Sequence, residues 1–268
     1  MPHSDPDLSR PVAVLKVSPW LIRSPTCGVP KLRLAAFPHA GGGASGFRRL
    51  FRYLPAEVEV IGIQLPGREN RVRDPASGSL FDLLRDIVDN LAPALQDDVP
   101  FVFFGHSLGA LIAFEVTRLF RANRLCGPAA LIVSGRTPPH VPLVRPALHG
   151  LADNDLLREV IRLDGTPREL QSHPEMLKLI LPVLRADLRL DETYAYSQGP
   201  PLDCPVLACG GQDDSEAPLS TMREWEIHTC AKFVLKTFAG GHFFMHSNSA
   251  LFNTELASFL RSVTQVMV

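Results

Sequence analysis

The pentapeptide Gly105-His106-Ser107-Leu108-Gly109 follows the apolar run Phe101-Val-Phe-Phe104 and precedes an amphipathic stretch that reads as a helix. Gly-x-Ser-x-Gly alone recurs by chance, but a serine at a tight strand-to-helix turn is held in a strained conformation with its hydroxyl above the sheet. The flanking glycines let the backbone approach closely. The helix that starts just after Ser107 points its free N–H groups at the place where an oxyanion would form. Ser107 is therefore a candidate nucleophile.

A serine hydroxyl is weak at neutral pH and needs a base and an orienting acid. After an elbow of this kind the acid and then the histidine follow in the chain. The chain has nine histidines. His3 lies in a polar, Pro-rich start, and His140, His149 and His173 lie in a helical segment discussed below. His106 is inside the elbow, with its side chain expected to point away from the nucleophile, and His228 reads as part of a surface helix. His242 follows the β-rich run Lys232–Phe238 and Gly240-Gly241, which sets it at a strand end on the same sheet edge as the elbow. His246, four residues on, is the alternative. For the acid, strand Pro205-Val-Leu-Ala-Cys209 ends in Gly210-Gly-Gln-Asp213-Asp214, and spacing within that turn fits either aspartate.

The oxyanion needs two backbone donors. One is the N–H of Leu108, next after the nucleophile. The other is assigned to Ala40, in the segment Pro38-His-Ala-Gly-Gly-Gly43 that follows strand Leu32–Phe37. This segment lacks the Lys-Ser/Thr ending of a P-loop, which argues against nucleotide binding.

The elements that must position these residues alternate. Strands are expected at 32–37, 58–64, 101–104, 129–134, 205–209 and 232–238. Helices are expected at 80–95 (opened by Ser79 and Asp82 as a capping box), at 109–123, between the last two strands, and at 249–264. Short β-rich runs alternating with amphipathic helices predict an α/β fold with a mostly parallel sheet covered on both faces. From about Pro138 to Pro200 no strand is apparent. Helical patterns at Asp153–Leu163 and Pro174–Leu190 stand there instead, with Pro182 expected to kink or divide the second. An insertion that begins beyond a strand end on the catalytic edge predicts a lid.

At 268 residues with 46 % hydrophobic content, one α/β domain spanning 1–268 with its insertion is the expected organisation. A formal net charge of −1 gives no electrostatic reason to expect nucleic acid or a membrane surface. No apolar run suffices to span a bilayer, the first residues lack signal-peptide character, and five scattered cysteines without a C-x-x-C pair fit reduced thiols; the expected location is the cytoplasm.

With these parts in place, the chain resembles a type II thioesterase of polyketide and non-ribosomal peptide biosynthesis, within the α/β-hydrolase superfamily. The resemblance runs from about Ser18 to the last helix. It rests on Phe37-Pro-His-Ala-Gly-Gly42, Gln64-Leu-Pro-Gly-Arg-Glu-Asn-Arg71, the elbow, and Gly240-Gly-His-Phe-Phe244. In that family the acid closes a G-x-x-D turn about 28 positions before the histidine, which favours Asp214 (242 − 214 = 28) over Asp213. Asn70 stands where the family often has Asp. The resemblance implies a stand-alone hydrolase that removes acyl groups from the phosphopantetheine arms of acyl or peptidyl carrier proteins, with no metal and no cofactor. Transfer of the acyl group to a nucleophile other than water, or a non-catalytic ligand-binding role on the same fold, are the alternatives.

Overall fold

β4 (Phe101–His106) carries no solvent-facing residue because both faces of its sheet are covered. Phe101 and Phe103 pack into one core with helices α2 (Leu80–Leu91) and α3 (Leu108–Ala122). Val102 and Phe104, pointing the other way, pack against α1 (Ser45–Leu50) and α8 (Ser249–Val266). Strand side chains alternate faces, so a strand buried on both sides reads as an unbroken apolar run.

The computed structural model describes residues 18–25, 28–51, 53–143, 145–162 and 174–266. His3, Cys27, Leu163 and His173 lie outside the described residues, as does the stretch 163–173 of the insertion. Besides β4, the sheet holds β1 (Leu21–Arg23), β2 (Leu32–Phe37), β3 (Val58–Ile63), β5 (Ala130–Ser134), β6 (Val206–Gly211) and β7 (Phe233–Phe238). Their order is β1-β3-β2-β4-β5-β6-β7, parallel throughout except for β1, which runs antiparallel to β3. This is the α/β-hydrolase architecture that the sequence implied. No helix among the described residues is long and apolar enough to cross a membrane, and Cys126, Cys204, Cys209 and Cys230 are free thiols.

Four local expectations are corrected. β1 and the six-residue α1 are additional elements, too short to show a period. The helix expected over 80–95 ends at Leu91 and continues as a 3-10 turn, Ala92–Leu95, at Pro93. Its start is as expected, with Ser79 Oγ accepting the Asp82 N–H at 3.3 Å. His228 is buried, not superficial. It ends a 3-10 turn, Arg223–His228, whose period of about three aligns Met222, Trp225 and His228 on the inward face.

The insertion between β5 and β6 contains α4 (Asp153–Arg162) and α5 (Pro174–Glu192), with no strand among its described residues. Pro182 sits inside α5 without dividing it. It lies on the exposed face, where water can take up the carbonyl that its ring leaves without a donor. The short helices α6 (Leu219–Met222) and α7 (Phe244–Ser247) follow β6 and β7.

Candidate active site

β2 and β4 are neighbours, with Phe37 opposite Gly105. From β2 the chain moves outward to β3, then returns to β4 on the other side. The segments leaving the C-terminal ends of these two strands therefore diverge and open a crevice, the usual place for a ligand in such a sheet.

Ser107 stands at this edge with φ 54° and ψ −120°, a left-handed conformation that a non-glycine residue adopts at a cost of about 1–3 kcal/mol. Its N–H is tied to the Ser134 carbonyl on β5 at 2.9 Å. The two motif glycines permit the crossing. A Cβ on Gly105 would lie 2.1 Å from the Gly109 carbonyl oxygen, and one on Gly109 would lie 2.0 Å from that of Phe37. Leu108 begins α3, so its N–H has no acceptor within the helix.

His242 and Asp214 meet beside it. His242 Nδ1 lies 3.0 Å from Oδ2 and 3.1 Å from Oδ1 of Asp214, both residues buried. Of the two aspartates, the turn uses Asp213 through its backbone, whose N–H donates to the Gly240 carbonyl at 2.9 Å while the side chain is exposed. The next side chain then points inward. Burial pushes the Asp214 carboxyl up, but His242 and the N–H groups of Glu216 and Ala217 outweigh it and hold the carboxyl below its usual range. His246 is exposed and stacks on Phe243.

Ser107, His242 and Ala40 border one cavity of about 80 Å³, together with His39, Arg136, Leu184 and Leu188. The sequence-expected residues are thus brought to one place, with Asp214 directly behind His242. Two imidazoles that sequence reasoning left aside belong to the same cluster. The His106 ring lies 4.8 Å from that of His242, and its Nδ1 is 3.1 Å from Ser134 Oγ. Burial holds His106 well below the usual histidine range and pushes His39 down to about 4, so both stay neutral near pH 7. A histidine inside each of the two site loops was the available signal. Arg136 and Asp191, a buried ion pair bordering the cavity, gave none.

A family model described as a thioesterase domain matches residues 32–263. The chain is 37 % identical over 253 residues to linear gramicidin dehydrogenase LgrE of Brevibacillus parabrevis, covering 91 % of this chain and 95 % of that one. It is 38 % identical over 227 residues to thioesterase PikA5 of Streptomyces venezuelae, covering 85 % and 80 %. The structure of the type II thioesterase BorB from the borrelidin biosynthetic cluster matches with a TM-score of 0.81 at 33 % identity, over 89 % of this chain and 96 % of that one. The likeness read from four short strings thus extends over almost the whole fold, and this chain belongs to the thioesterase family.

Proposed function

We propose that the chain, acting as one domain in the cytoplasm, hydrolyses acyl or aminoacyl thioesters carried on the phosphopantetheine arms of acyl or peptidyl carrier proteins. It would work in trans and free polyketide or non-ribosomal peptide assembly lines of stalled or wrongly loaded units. The observation that carries this reading is the His242–Asp214 hydrogen bond beside Ser107, at one cavity of a thioesterase-family chain.

The chemistry follows from the roles. Asp214 fixes the tautomer of His242, leaving Nε2 to take the Ser107 proton. Ser107 Oγ attacks the thioester carbonyl, and the N–H groups of Leu108 and Ala40 stabilise the oxyanion, each worth about 3 kcal/mol of barrier. The C–S bond then breaks and the arm leaves as its thiol, taking the proton held by His242. Water, giving its proton to His242, attacks the acyl-serine; the acid departs and Ser107 recovers its proton. No step calls for a metal or cofactor. The insertion over the cavity acts as a lid.

Product analysis tests this reading. An acyl carrier protein incubated with the enzyme in ¹⁸O-water is expected to release a free acid carrying one ¹⁸O, with Ser107→Ala inactive. An ester, amide or macrocycle would reassign the acceptor. A product formed only with a nicotinamide cofactor would favour the activity in the linear gramicidin relative's name, and Gly41-Gly-Gly-Ala-Ser-Gly46 after β2 has the G-x-G-x-x-G spacing that would then have to hold it.

A further inference from the structure

The string Gln64–Arg71 has no part in the triad, yet it grips the loop that carries Ala40. Gln64 Oε1 accepts the Ala44 N–H at 2.7 Å, and its amide nitrogen donates to the Arg68 carbonyl at 3.0 Å. Arg68 donates from Nη1 to the Gly42 carbonyl at 3.0 Å. Its guanidinium also meets Asp187 of α5 in a two-pronged pair, Nη1–Oδ2 2.6 Å and Nη2–Oδ1 2.8 Å. Asp187 Oδ2 in turn accepts the Gly41 N–H at 2.8 Å. Both side chains are buried, 7 % and 3 % exposed.

A buried ion pair adds little net stability once desolvation is counted. This one is informative for the backbone atoms it holds. The loop closes on itself through Gly42 N–H to the His39 carbonyl at 2.9 Å, and His39 Nδ1 lies 2.9 Å from the Ala40 carbonyl. The Gly41 N–H and Gly42 carbonyl, directly after Ala40, are held from outside by Asp187 and Arg68. Gly41 has φ 74°, and Leu184, three residues before Asp187 on α5, packs against it.

Resting on the reading of Ser107 and Ala40 given above, we propose that Arg68 and Asp187 are positioning residues for thioester hydrolysis. Their pair sets the peptide groups that follow Ala40, so its oxyanion donor is in register only while α5 is seated. Seating the insertion and completing the oxyanion hole are then one event.

The test is Asp187→Asn, which replaces one of two acceptor oxygens by a donor. With a small soluble thioester, kcat is expected to fall about 10²-fold, the scale of one lost oxyanion donor, with KM within about threefold. Affinity for a trifluoromethyl ketone analogue, which forms an oxyanion on Ser107, should fall by the same factor. Affinity for the unreactive thioether should not. Arg68→Lys keeps a charge beside Asp187 but loses the fork, and should lose about tenfold in kcat; it decides the matter by the same readouts if Asp187→Asn does not fold. A lowered melting temperature with kcat and analogue affinity intact would reduce the pair to a structural role and overturn the inference. Ser107→Ala separates the two readings. Turnover surviving in that variant overturns the site assignment and this inference with it. Turnover lost there but intact in Asp187→Asn and Arg68→Lys overturns the inference alone.

Discussion

The two halves of the site are held by different forces. The elbow lies among β4, β5 and α3, whose contacts are apolar packing and backbone hydrogen bonds. The insertion rests on a small leucine cluster, Leu148, Leu156, Leu181, Leu184 and Leu188, and on Leu190, which reaches the main core, supplemented by charges. On the inner face of α5, Asp187 meets Arg68 and Asp191 meets Arg136, while Glu192 meets Arg145. Apolar burial contributes roughly in proportion to area, whereas buried ion pairs nearly cancel against desolvation and depend on both partners. The contrast therefore separates a nucleophile on a fixed platform from a cover that comes away at lower cost.

The platform carries the largest expected effects. Ser107→Ala should lower turnover by at least about 10⁴-fold while leaving the melting temperature nearly unchanged, and a serine-directed inhibitor should add one mass equivalent, at Ser107 only. A label elsewhere would move the nucleophile. Next comes Asp214→Asn, expected to lower kcat about 10⁴-fold through loss of the histidine orienter, whereas Asp213→Asn should change it less than about twofold. The opposite pattern would assign the acid to Asp213.

What could be read from the sequence divides along the same line. The elbow, the strand-end acid and His242 each have a local signature, because a tight turn next to a buried strand dictates its residue types. The insertion's helices were also legible from periodicity. Arg68 and Asp187 are 119 positions apart, and such a contact leaves no local trace. An elbow histidine is expected to point away from Ser107, but the sequence does not show that the His106 ring packs against His242. β1 consists of three residues and is recruited by pairing with β3, not by its own pattern.

Charge pairing and close packing should also respond differently to substitution. Asp191→Asn leaves Arg136 buried without its counter-charge and should cost about 3–5 kcal/mol in urea unfolding, while Arg136→Met/Asp191→Leu should recover most of that loss. Gly109→Ala places a methyl against the Phe37 carbonyl, at the upper end of overpacking costs, about 3 kcal/mol, and no single apolar replacement nearby relieves it. A double variant as unstable as Asp191→Asn would show that the α5 contact is not governed by desolvation.

Local opening should follow. Amide exchange is expected to be at least about tenfold faster in α4 and α5 than in β4 and β5, since segments with small apolar contacts open at lower free energy. An engineered disulfide that fastens α5 to the body should slow turnover of carrier-bound substrates more than that of small soluble thioesters. Equal protection in both regions, with unchanged carrier kinetics in the tethered form, would make the insertion ordinary packing.

The smallest effect is a pH dependence at the seam between the halves. His140, at the start of the insertion, bonds through Nδ1 to Nε2 of His228 at 2.8 Å, and His228 is buried against Phe114 and Trp225. Burial, with smaller contributions from His140 and Arg118, pushes His228 down to about 4. The unfolded chain, with an ordinary histidine near 6.5, binds more protons than the folded one between those two values. Stability is then flat with respect to this group above about pH 6.5 and falls as the pH drops toward 4. His39 and His106 act in the same direction, so the whole-protein slope does not isolate His228. The difference between wild type and His228→Phe does. The variant is expected to be less stable at pH 7.5, where it has lost the bond to His140, and the gap should narrow or reverse by pH 5. Melting curves of the two proteins that stay parallel from pH 7.5 to 5 would show that His228 is not a buried neutral imidazole.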